Sequence, residues 1–139
     1  MKKRTILLIG KYKKVESDIS RYKRNFSVLA IDNLQEIKSL KKDDLEKIEA
    51  IAFKGHTNFN FPIMKKFPSL KIISNFGVGY DTINVKDAKK LNILITFTPD
   101  ILNDDVADMA IALYLGISRK LLDGYDWIKS GNWKTLGEM

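Results

Sequence analysis

The sequence predicts an α/β fold, a flavodoxin-like, doubly wound parallel sheet of five strands, followed by a long C-terminal helix. Three observations predict it. Short runs rich in isoleucine, leucine, valine and phenylalanine recur along the 139 residues. These runs are almost continuously apolar, as strands of a parallel sheet covered on both faces must be. Polar, helix-type segments separate them, and that alternation implies right-handed crossovers.

The strands are expected at Thr5 to Gly10, Phe26 to Ile31, Ala50 to Lys54, Leu70 to Asn75 and Ile93 to Thr98. Between them, helices are expected at Glu16 to Arg24 and Asp43 to Ile48. A third begins at Pro62, a favoured first helical residue, and ends before Pro68. Asn84 suits the N-cap of a fourth, Val85 to Leu91. Strand order 2-1-3-4-5 fits this alternation best. No internal repeat or low-complexity tract interrupts it.

The last helix differs. Asn103 is expected to cap it, with Asp104 and Asp105 in the first turn where the helix dipole favours negative charge, and it runs to about Ser130. From Val106 to Ile117 the only charged residue is Asp108. A helix apolar nearly all round is buried nearly all round. The sheet covers one flank at most, so a second domain or a second subunit is expected on the other. The division expected is residues 1–102 for the sheet domain and 103–139 for the interface helix and the start of a linker.

Composition removes several function classes. Hydrophobic residues at 45% and charged residues at 29% describe a globular protein. With no cysteine and one histidine, His56, there is no disulfide scaffold, thiol catalysis or multi-histidine metal site. The net charge of +7 is spread over Lys13-Lys14, Arg21 to Arg24, Lys41-Lys42, Lys65-Lys66 and Lys89-Lys90. Without a reading motif these are solvated helix faces, and no nucleic-acid partner is expected. The apolar run after Met1-Lys2-Lys3-Arg4 is cut short by Lys11, and Val106 to Ile117 is too short for a bilayer. A cytoplasmic chain with no membrane partner is expected.

In open α/β sheets ligands bind beyond the carboxyl ends of the strands. Those ends carry Gly10-Lys11, Lys54-Gly55-His56-Thr57, Gly77-Val78-Gly79-Tyr80-Asp81 and Thr98-Pro99-Asp100. The two glycines of the fourth loop permit positive φ and consecutive N–H groups facing one anion, a nest suited to a carboxylate. The same spacing suits an ordinary tight turn, and both readings stand. It is no dinucleotide fingerprint, because Thr82 occupies the place of the third glycine. Lys11 and Lys54 stand where a phosphoacceptor receiver needs acids. His56 reads as a loop residue rather than a general base, and Trp127 and Trp133 as packing anchors.

Asn75-Phe76-Gly77-Val78-Gly79-Tyr80-Asp81 and Thr98-Pro99-Asp100-Ile101-Leu102-Asn103-Asp104-Asp105-Val106-Ala107-Asp108 together resemble the D-isomer-specific 2-hydroxyacid dehydrogenases, in particular the glyoxylate/hydroxypyruvate reductase branch. The resemblance extends through Lys54-Gly55-His56-Thr57 and Ser130-Gly131-Asn132-Trp133. It implies a substrate domain interrupted by a Rossmann NAD or NADP domain, and a small 2-oxo or 2-hydroxy acid as substrate. It implies that the Val78 and Gly79 amides bind the substrate carboxylate, that Lys54 and Gly55 contact substrate, and that Leu102 and Val106 face the nicotinamide. It further implies a homodimer formed through the Asp104–Ser130 helix.

Phe97 stands where many relatives have asparagine, and Asn103 where threonine is common. The family's cofactor fingerprint and its catalytic arginine, glutamate and histidine would lie beyond Met139. No catalytic residue, metal or bound cofactor is therefore expected in this chain, and no turnover by it alone. The alternative is a naturally short, non-enzymatic binding or oligomerisation module.

Overall fold

The computed structural model describes residues 3–14 and 16–133. The linker expected at 134–139 lies outside them. The chain forms two compact units, Met1–Pro99 and Asp100–Met139.

The first unit holds a five-stranded sheet of order β2-β1-β3-β4-β5, with β1 Thr5–Ile9, β2 Ser27–Ile31, β3 Ile48–Phe53, β4 Ile72–Asn75 and β5 Leu94–Thr96. Every pairing is parallel. Helices α1 Glu16–Asn25, α2 Lys42–Lys47, α3 Phe61–Met64 and α4 Val85–Lys90 connect the strands, with 3-10 turns at Lys11–Lys14 and Leu34–Ser39.

Both faces of β1 are buried, and this explains its unbroken apolar run. Leu7 and Ile9 enter a core with Ile51, Phe53, Phe59, Met64 and Ile73, while Ile6 and Leu8 join Tyr12 and Ala52 on the opposite face. The faces are clothed unequally. On the second, Ile19 and Tyr22 of α1 pack beside Val28, Ala30 and Ala50. Over β4 and β5 that face is open: Leu94 is 60% exposed and Ser74 is exposed too.

Asn84 caps α4 as expected, accepting from the Asp87 N–H at 3.1 Å. The second helix ends one residue before its expected limit, because Ile48 opens β3. A register shift between Thr5 and Ile6 carries pairing from Ile48 to Ala50, and Ile48 turns fully into the core. The turn Leu34–Ser39 had no counterpart in the sequence reading. It is short, buries Leu34 and Ile37, and is capped by the Asn33 side chain on the Gln35 N–H at 2.9 Å.

The second unit corrects the single long helix. Two helices are present, α5 Asn103–Ser118 and α6 Leu121–Lys129, parted at Lys120, whose φ of 49° is left-handed. Asn103 is the first helical residue rather than the cap. Leu102 takes the cap position, and the Asn103 amide donates instead to Asp100 Oδ1 at 2.9 Å. No residue of α5 or α6 is buried, and Ile117 is 80% exposed. Trp127 and Trp133 tilt against each other with centroids 6.1 Å apart. Among the described residues no helix is long and apolar enough to cross a membrane.

Candidate functional site

A cleft of about 790 Å³ opens at the carboxyl ends of the strands in the first unit. Its floor and walls bring together Gly10 and Lys11 after β1, Lys54 to Thr57 after β3, and the bend Phe76 to Gly79 after β4. The four residues expected to meet substrate, Lys54, Gly55, Val78 and Gly79, all line it. So does His56, on an exposed loop position. The end of β2 also contributes Asp32, Asn33 and Leu34, which sequence reasoning missed. Thr98 is not among the residues lining the cleft; its N–H donates to the Gly77 carbonyl at 3.0 Å.

Backbone bonds hold the walls in place. Lys54 N–H donates to Ile9 O at 2.8 Å and Phe76 N–H to Phe53 O at 2.8 Å, so both loops leave the sheet in fixed directions. Farther out, Phe59 N–H donates to Thr82 O at 2.7 Å and Asn84 N–H to Phe59 O at 3.0 Å. These bonds tie the chain after Thr57 to the end of the glycine bend. Phe59 itself is fully buried between Phe53 and Phe67, at centroid separations of 5.6 and 6.5 Å.

The glycines of the bend act differently from expectation. Neither Gly77 nor Gly79 has a positive φ; only Gly10 and Gly131 do among the described glycines. A left-handed nest is therefore not the geometry here. A Cβ on Gly77 would make only ordinary contact, 3.4 Å from Asn75 Nδ2, whereas one on Gly79 would crowd the Asp81 carboxylate end at 3.1 Å. The carbonyls of the bend are engaged, Gly77 O by Thr98 and Gly79 O by Asn75 Nδ2 at 2.6 Å. No acceptor among the described residues takes the Val78 or Gly79 N–H. The Val78 and Gly79 residues are exposed, so their unclaimed amides are open to solvent.

The cleft's charge is mixed. Lys11, Lys54, Asp32 and Asp81 all line it. The Lys54 ammonium lies 4.6 Å from the centroid of the exposed Phe76 ring, which holds the cation beside the bend without neutralising it. A Cβ on Gly55 would crowd the buried Phe53 ring at 3.0 Å. Among the described residues no cluster of histidine or carboxylate side chains could hold a metal ion.

The residues expected near a nicotinamide lie in the second unit. Leu102 and Val106 are exposed and one helical turn apart, joined by the Val106 N–H to Leu102 O bond of 2.9 Å. An apolar pair of this kind can lie against a flat ring but offers nothing to a pyrophosphate. The two-glycine bend lacks the third glycine at Thr82 and leads into the six-residue α4. Among the described residues this bend is not a dinucleotide fingerprint.

Residues 7–136 match the model of the D-isomer specific 2-hydroxyacid dehydrogenase catalytic domain. The glyoxylate reductase of Thermococcus onnurineus is 31% identical over 123 residues, which make up 88% of this chain and 37% of that protein. The NADPH-dependent glyoxylate/hydroxypyruvate reductase of Sinorhizobium meliloti, solved in complex with citrate, superposes with a TM-score of 0.77 at 34% identity. That match covers all of this chain and 42% of the other. The same enzyme in complex with NADP and malonate gives a TM-score of 0.73 over 99% of this chain and 41% of its own. The chain therefore spans about two-fifths of the length of these relatives.

Proposed function

The chain belongs to the D-isomer specific 2-hydroxyacid dehydrogenase family, and we propose that it supplies the substrate-binding part of an NAD(P)-dependent enzyme interconverting 2-oxo acids and D-2-hydroxy acids. The substrate class is a small acid such as glyoxylate or hydroxypyruvate. One observation carries the reading: the unclaimed amides of Val78 and Gly79 sit in the same cleft as the Lys54 ammonium. A carboxylate accepts two N–H groups through its oxygens and gains from a nearby cation. The amides then fix the acid's position and the ammonium favours its charge, with Gly55 leaving room beside the Phe53 ring. The solved reductase of Sinorhizobium meliloti likewise holds carboxylates, malonate in one complex and citrate in another.

In this reading the redox step belongs to residues other than these, and the 139-residue chain alone binds acid without turning it over. Its apolar α5 surface, with Met109, Leu113 and Ile117 all exposed, is covered by a second subunit. Titrating the chain with oxalate, a stable planar analogue of the 2-oxo acids, by calorimetry tests the binding. Saturable binding lost in Gly79→Pro is expected. Oxalate binding that ignores this substitution, or NADH oxidation with glyoxylate by the chain alone, would overturn the proposal.

A further inference from the structure

We infer that Asn75 is a positioning residue that anchors the far end of the glycine bend at the Gly79–Tyr80 peptide and so holds the Val78 and Gly79 amides in place. The inference rests on the carboxylate reading of those amides and adds a residue to it. Asn75 is the only buried polar residue among those described, at 6% exposure, and it ends β4 opposite Phe53. A buried amide is kept only where its hydrogen bonds are made. Here its Nδ2 donates to Gly79 O at 2.6 Å, four residues along the chain. The acceptor is a carbonyl, so the nitrogen must face it, and the side-chain orientation is fixed by chemistry.

This single bond closes the bend from inside. Phe76 N–H is tied to Phe53 O and Gly77 O to the Thr98 N–H, which leaves Val78 and Gly79 as the free stretch of the loop. Drawing the Gly79 carbonyl inward fixes the Gly79–Tyr80 peptide, and with Gly77 O held by the Thr98 N–H the Val78-Gly79 stretch is pinned at both ends, with neither N–H taken by an acceptor among the described residues. The same Nδ2 lies 3.4 Å from where a Gly77 Cβ would be, so the side chain fills the space beneath the bend. Asn75 also lines the cleft.

The test uses the isotope-labelled chain in three measurements. First, in the wild type without ligand, a scalar coupling across the hydrogen bond from Asn75 Nδ2 to the Gly79 carbonyl carbon is expected. Its absence overturns the anchor whatever the variants do. Second, Asn75→Asp keeps the shape and replaces the donor by an oxygen that repels the Gly79 carbonyl. Its amide signals are expected to move at 76–80 and to stay in place in β1 and β3. Third, oxalate affinity of the folded Asn75→Ala chain, which removes the donor without bringing a negative charge toward the acid, is expected to fall about tenfold, the scale of one lost hydrogen bond at a preorganised site. A purely structural asparagine would lower the urea midpoint and leave that affinity unchanged, and this outcome overturns the proposal. Asn75→Leu serves where Asn75→Ala does not fold, with the same expectation. A wild type that ignores oxalate overturns the carboxylate reading and the positioning role together, while the coupling still reports whether the bond exists.

Discussion

Replacing Gly10 by alanine should destabilise the first unit more than any other single methyl added to a described glycine. Gly10 has a φ of +123°, a region costly for residues with a Cβ, and its added Cβ would stand 2.1 Å from the Lys54 carbonyl oxygen. That is roughly 1 Å inside ordinary contact. The backbone strain costs about 2 kcal/mol. Relieving the overlap pushes β1 away from the start of the Lys54 loop. It thereby weakens Gly10 N–H to Ile31 O at 2.9 Å and Lys54 N–H to Ile9 O at 2.8 Å. Two bonds at about 1 kcal/mol each bring the loss to about 4 kcal/mol, a large share of a domain's usual stability. With a urea slope of about 2 kcal/mol/M, the unfolding midpoint should fall by about 2 M. Gly116→Ala is the control. It adds a methyl inside α5 with nothing within 4 Å, and helix propensity favours it by about 0.5–1 kcal/mol. A Gly10→Ala midpoint within about 0.5 M of wild type would refute the steric reasoning.

Further outcomes follow from the cleft and the surface. Gly79→Pro deletes one of the two amide donors and should weaken oxalate binding at least about tenfold by calorimetry, without unfolding the sheet. Lys54→Met should weaken oxalate binding and flatten its dependence on salt, because the ammonium beside Phe76 contributes through charge; an unchanged salt slope would exclude that role. The hydrogen bond from Lys71 at 2.8 Å, with smaller help from the Lys71 and Arg4 charges, holds the Glu49 carboxyl below its ordinary pKa. The interaction therefore stabilises the fold above the ordinary carboxylate range and is lost as pH falls through the lowered value. Lys71→Ala should return the Glu49 titration, followed by NMR, to the ordinary range. Sedimentation equilibrium should find a dimer, and a well-behaved monomer at high concentration would remove α5 as a subunit interface.

Strand positions and their order were legible because each run had to be apolar on both faces, as Leu7 and Leu8 illustrate on opposite sides of β1. Boundaries were less so. Whether Ile48 ends a helix or opens a strand depends on a register shift against Thr5, a tertiary feature no local pattern encodes. The break at Lys120 is equally silent, since a lysine in the left-handed region carries no composition signal. In the site, strand-end logic located Lys54, Gly55, Val78 and Gly79 in one cleft. Of the two readings it left open for the glycines, the positive-φ nest is not what forms, because neither Gly77 nor Gly79 is left-handed. Asn75 was passed over as part of a strand. An asparagine closing an otherwise apolar strand, two residues before a glycine, was the signal available.

A crystal of the chain soaked with oxalate tests the central claim most directly. Electron density for the acid, with one carboxylate within hydrogen-bond distance of the Val78 and Gly79 nitrogens and Lys54 Nζ beside it, is the predicted result. Oxalate seated elsewhere in the cleft, with those two nitrogens facing only water at full occupancy of the ligand, would contradict it.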